Sequence, residues 1–189
     1  MRRGLAMGLL LLVSAGDLRA QARVSTGTAL RLGVGLSSSD YACAECHINA
    51  YTGVSGFVAA TRPLGRRLTA GLEATLSDAS GDQADVTLLG ALATAGVRGR
   101  PGMPVWGTLG LGWIFWSSAG PSSNGPALSV RAGVDLPVGA RVALSPYAGY
   151  LTMLGHDGPR HVRDFNDLPD GVPTRVSSLQ LGVAATLRP

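Results

Sequence analysis

Cys43-Ala44-Glu45-Cys46-His47 is the segment whose residue types and spacing carry the most chemistry. Cys-x-x-Cys-His is the attachment signature of c-type haem, in which two thiols bond the vinyl groups and the histidine ligates the iron. Haem also needs an apolar, helix-bearing pocket. Neither Ser37-Ser38-Ser39-Asp40 before the motif nor Ile48-Asn49-Ala50 after it reads as one. In an oxidising compartment the two thiols of Cys43 and Cys46 instead form a disulfide that staples an exposed loop, and that is the reading taken. The alternative is haem c, with His47 as one ligand and His156, His161 or Met153 as the sixth. A Cys/His metal site is a further alternative. No cofactor is assigned.

Catalysis has little to stand on. A nucleophilic triad needs Ser, His and an acid converging in space. His156-Asp157 with a loop serine is the nearest approach, and no nucleophile elbow is present. No catalytic residue is therefore assigned and the chain is not read as an enzyme, although a lipid-modifying enzyme stands as a second alternative. Gly110-x-Gly112 precedes no helix start and is not a phosphate loop. Asp167-Leu168-Pro169-Asp170-Gly171 lacks the ligand spacing of an EF-hand and reads as a turn.

The compartment follows from the N-terminus. Met1-Arg2-Arg3 is a basic start, Gly4 to Val13 is an apolar run, and Ala20-Gln21-Ala22 is a small-x-small cleavage site. These are the three regions of a secretory signal peptide. The apolar run is too short for a membrane span of about 20 residues. The expectation is a leader over 1–22 and a mature chain over 23–189. Arg2, Arg3 and Arg19 against Asp17 put half of the formal +4 into the leader. The remaining excess has no basic cluster interleaved with aromatics, so a nucleic-acid partner is not expected.

Of the 189 residues, 46% are hydrophobic, 15% are charged and 27 are Gly. That charged fraction is well below the roughly 25% of ordinary soluble domains, and Gly is about double the usual 7%. Disorder needs the opposite composition. Past the leader the pattern is strict alternation, the signal of a strand with two different faces. Leu30, Leu32, Val34 and Leu36 alternate with Ala29, Arg31, Gly33 and Gly35. The same pattern predicts strands over 29–36, 68–76, 105–116, 128–136 and 179–187, with weaker runs over 51–61, 86–97 and 142–153.

The connections alternate in length. The short ones, 62–66, 98–102 and 137–140, are rich in Pro and Gly. The long ones are 37–50, 77–85, 117–126 and 154–174. Short turns at one end and long loops at the other mark a transmembrane up-and-down barrel. Charge sorts by the same ends: the short turns and their flanks hold Arg62, Arg66, Arg67, Arg98, Arg100 and Arg141 and no acid. The long connections hold Asp40, Glu45, Asp78, Asp82, Asp85, Asp157, Asp164, Asp167 and Asp170. His47, His156 and His161 all fall at that loop end, and a closed barrel makes the first and last loops neighbours.

Arg31, Glu73, Arg131 and Asp135 lie on the less apolar face. Four charges of balanced sign can pair in a narrow interior, whereas each would be penalised against lipid. The polar face is expected to point in, as a lumen charge cluster, and the apolar face to meet outer-membrane lipid. Trp113, Phe115, Trp116, Tyr147 and Tyr150 are expected to form an aromatic girdle at the interface. The fold class is all-β: one eight-stranded antiparallel up-and-down transmembrane β-barrel, with an interior filled by side chains.

On this architecture the chain resembles the small outer-membrane β-barrel proteins of the OmpA transmembrane-domain and OmpX type. It also resembles a subset of bacterial barrels that carry Cys-x-x-Cys in the first outer loop and end in a Leu-Gln-Leu-Gly strand. The resemblance implies that the last strand is a recognition signal for the barrel-insertion machinery, carried by Gln180, Gly182, Ala185 and Leu187. It implies periplasmic termini, a monomer, and loops presented to an extracellular partner of unspecified kind.

Overall fold

The computed structural model describes residues 27–42, 47–80, 85–99, 103–118, 122–154 and 175–189. The leader lies outside them. The strands are β1 (Ala29–Ala42), β2 (His47–Pro63), β3 (Leu68–Ser80), β4 (Asp85–Arg98), β5 (Val105–Ser118), β6 (Ser122–Val134), β7 (Leu136–Pro137), β8 (Val142–Met153) and β9 (Arg175–Leu187). From β1 to β6 each strand pairs antiparallel with the next, as do β7 with β8 and β8 with β9. Two further antiparallel pairings, β1 with β9 and β6 with β8, close the ring.

The two-residue β7 continues the line of β6. Gly133 pairs with Tyr147 and Leu136 with Leu144 in one unbroken register. The gap between them falls opposite Pro146, which has no N–H to donate to the ladder. Nine hydrogen-bonded segments therefore make eight staves, and the architecture is a closed eight-stranded antiparallel β-barrel.

Alternation sets the two faces. Val34 and Leu36 are each 71% exposed and Leu72 is 70% exposed. Leu30, Leu32, Leu76, Leu109, Leu111, Val130, Leu181 and Val183 stand on the same outer face. Arg31, Glu73, Thr75, Ser129, Arg131, Gln180 and Thr186, in the opposite phase, are buried or nearly so. A thirteen-residue strand such as β3 runs about 43 Å at about 3.3 Å per residue. Tilted near 40°, it rises about 33 Å, more than the apolar band of about 25 Å.

That surplus explains where the strands outrun the sequence expectation. β1 continues to Ala42 rather than stopping at Leu36, β2 begins at His47, β6 begins at Ser122, and β9 begins at Arg175. Toward the loop ends of β1, β3 and β4 the outer face turns polar, with Ser38, Asp40, Asp78, Ser80, Asp85 and Thr87 exposed. Apolar-out alternation fades there although the strand goes on.

Two expectations about faces need correction. The buried charges lie from mid-barrel to the turn end among a smaller apolar cluster of Phe57, Ala59, Trp106, Tyr147 and Ala184, and the loop end is filled by an apolar cluster that includes Tyr51, Leu88, Ile114, Trp116, Leu151 and Met153. Polar-in, apolar-out holds only where lipid would be the outer solvent. Trp116 and Tyr147 are not on the outer girdle: they are 6% and 5% exposed and face the lumen, in step with their strand phase. Trp113, Phe115 and Tyr150 do stand outward, and Trp113 Nε1 donates to Asn124 Oδ1 at 3.0 Å.

Candidate functional site

The lumen gathers the chain's buried charge. Arg131 on β6 and Glu73 on β3 form an ion pair through Nη1 and Oε1, with side chains 1% and 2% exposed. Two guanidinium hydrogen bonds run from Arg131 Nη2, to Thr75 Oγ1 at 3.2 Å and to Gln180 Oε1 at 3.0 Å. The Phe57 ring lies 4.5 Å from the guanidinium carbon, close enough for a cation–π contact. Burial of both ions costs several kcal/mol each unless geometry and extra hydrogen bonds offset it. Here Thr75, Gln180 and Phe57 supply those extra contacts.

Glycine makes the room. A Cβ on Gly149 would stand 2.9 Å from Arg131 Cγ, and one on Gly33 would overlap the Phe57 ring. Phe57 in turn meets Tyr147 edge to face, with ring centroids 5.2 Å apart.

A second charged group sits nearer the turn end. Asp135 lies between β6 and β7. Its Oδ1 accepts from Arg31 Nη2 at 3.3 Å and from Ser145 Oγ at 2.5 Å, and its Oδ2 from Arg188 Nη2 at 2.6 Å. Arg31 Nε donates to Thr186 Oγ1 at 2.9 Å, and the guanidinium lies 3.7 Å from the centre of the Trp106 ring.

The four charges expected as one lumen cluster thus stand as two separate groups, Arg131 with Glu73 and Arg31 with Asp135. Gln180, expected in the insertion signal, is buried and hydrogen-bonded to Arg131. Gly182 is held by close backbone approach to Val34 and Gly35, Ala185 is half-buried, and Leu187 faces out. Arg188, Trp106, Phe57 and Thr75 were not singled out from sequence. Trp106, Phe57 and Thr75 sit on the inward phase of their strands, and Arg188 continues that of β9 one residue past its end; that phase is the signal that could have found them.

His47 is the first residue of β2 and pairs with Ala42, so it belongs to a strand rather than a loop. Cys43, Cys46, His156 and His161 lie outside the described residues. Met153 is buried in the loop-end apolar cluster.

No protein-family model matches the chain, and no curated protein sequence does. Among solved structures it is similar to neisserial surface protein A, NspA, with a TM-score of 0.59 and 16% identity over 86% of this chain and 99% of that one. Looser matches are Ail, the attachment invasion locus protein of Yersinia pestis (0.48, 13%, 84% and 98%), and the outer membrane protein OprG from Pseudomonas aeruginosa (0.46, 11%, 87% and 98%). At such identities the property shared with NspA is the fold, a closed eight-stranded antiparallel β-barrel.

Proposed function

We propose that the chain is an outer-membrane β-barrel protein of the OmpA transmembrane-domain and OmpX type, with a closed lumen and a structural or surface-interaction role. It is exported through a cleaved leader, inserted through its last strand by the barrel machinery, and works as a monomer. Its long connections present to the outside. The observation that carries this reading is the outer wall: Leu and Val side chains stand exposed on stave after stave of one barrel. Monomeric soluble proteins rarely expose contiguous apolar patches beyond a few hundred Å², and outer-membrane lipid is the solvent such a wall fits. The fold shared with a protein named as a neisserial surface protein points the same way.

The interior supports an occluded barrel rather than a porin, since charged groups and a loop-end apolar cluster fill it. Cys43 and Cys46 form a disulfide in this reading, and neither haem nor metal is required. The test is insertion and conductance. Purified protein should show heat-modifiable gel mobility and a β-type circular dichroism spectrum in lipid vesicles. In planar bilayers it should give no large stable channels. Failure to enter vesicles overturns the membrane assignment, and large stable conductance overturns the closed lumen.

A further inference from the structure

The turn-end mouth of the barrel holds more positive charge than its own acid can neutralise. Arg31, Arg98 and Arg188 line one recess with Asp135, Trp106 and Thr186. Asp135 spends both carboxylate oxygens on Arg31, Arg188 and Ser145. Arg98, the last residue of β4 and half-buried, has no ion pair among the described residues. Three guanidinium groups therefore face one carboxylate. Like charges in a half-enclosed, low-dielectric recess repel more strongly than in water.

We propose that this mouth is a binding site for one oxyanion, a phosphate group, held by Arg31, Arg98 and Arg188. Arginine suits it, because the planar guanidinium fork matches phosphate oxygens and keeps its charge when partly desolvated. The two surplus positive charges match the −1.5 to −2 of a phosphate monoester near neutral pH. Trp106 stacks on Arg31 and fixes its direction, while Asp135 holds Arg31 and Arg188 apart on its two oxygens. Arg98 is half-buried and the Arg188 side chain is 40% exposed, so the group is held at the rim of the recess. The group can be a lipid headgroup phosphate from the adjacent leaflet or free inorganic phosphate.

The test uses the mature chain refolded in uncharged detergent, with the Trp106 indole N–H as an NMR reporter. Inorganic phosphate should shift it saturably, and chloride at equal ionic strength should not. Arg98→Gln should weaken binding at least tenfold, and so should Arg188→Gln, whose side chain is 40% exposed and tolerates exchange. Arg62→Gln, on the outer wall, should leave binding unchanged. A second arm titrates short-chain phosphatidic acid. Saturation at a tenth of the phosphate concentration or less identifies a headgroup as the source, and equal concentrations identify free phosphate. No saturable shift with either probe, or a shift that both Arg98→Gln and Arg188→Gln leave intact, overturns the proposal.

Discussion

Replacing Glu73 by Ala should cost about 3 kcal/mol of stability. Its carboxylate is the acidic partner of Arg131, and both side chains are almost fully buried. Removing one member of such a pair typically costs 3–5 kcal/mol, because an uncompensated charge remains inside. The lower end applies here, since Thr75, Gln180 and Phe57 still receive the Arg131 guanidinium. At about 1.4 kcal/mol per factor of ten, the folding constant should fall somewhat over 100-fold. Urea unfolding in lipid vesicles, followed by the fluorescence of Trp106, Trp113 and Trp116, measures it. The double variant Glu73→Leu with Arg131→Met should recover most of the loss, because apolar replacement of a whole buried pair is often neutral or better. With Glu73→Leu and Arg131→Met as the single variants, the cycle should therefore show a coupling of about 2 kcal/mol or more. Glu73→Ala within about 1 kcal/mol of the parent, or a double variant whose loss equals the sum of the singles, would refute a paired, buried charge in this lumen.

Three further outcomes follow from the same geometry. Gly149→Ala presses a Cβ toward Arg131 Cγ at 2.9 Å, and this overpacking should lower stability by about 1–3 kcal/mol, read as a lower urea midpoint. On the outer wall, Leu72→Arg should cost about 2–4 kcal/mol in vesicles and Leu64→Arg, in the turn after β2, about 0–1; equal costs would contradict a lipid-facing band at Leu72. Cys43 and Cys46 should take up thiol label only after reduction, shown by a gel shift, and a Soret band that survives acid–acetone extraction would replace the disulfide with covalent haem.

The barrel was legible because a closed barrel with an apolar outer wall imposes a simple rule on its strands. Leu30, Leu32, Val34 and Leu36 face out with Arg31 and Gly33 between them, and that alternation alone gives strand, phase and face. The rule lapses where the solvent changes. Beyond the apolar band, Asp85 and Thr87 face out while Val86 and Leu88 face in, so the hydrophobic phase of β4 inverts without a break in the strand. Sequence reading took such segments elsewhere as loops, and it set Trp116 on an outer girdle although its own phase put it inside. A strand leaving the membrane should be followed by its phase and not by its hydrophobicity.

Partner choice inside the lumen was beyond that rule. Alternation puts Arg31, Glu73, Arg131 and Asp135 on one face but fixes no height along the barrel axis. Height depends on how each strand is staggered against its neighbours, and closure of a barrel ties that stagger to strand tilt. Arg131 meets Glu73 across 58 residues, and Arg31 meets Asp135 across 104. Each distance is the accumulated outcome of several hairpin registers, which sequence patterns leave undetermined. The same accumulation brings Arg188 from the end of β9 to Asp135 and Arg98 from the end of β4 to the same mouth. Balanced counting of four inward charges suggested a neutral lumen. Height resolves it into a neutral pair at mid-barrel and a surplus of arginine at the turn end, and a surplus at a mouth, unlike a pair in a core, is a charge that a ligand can reach.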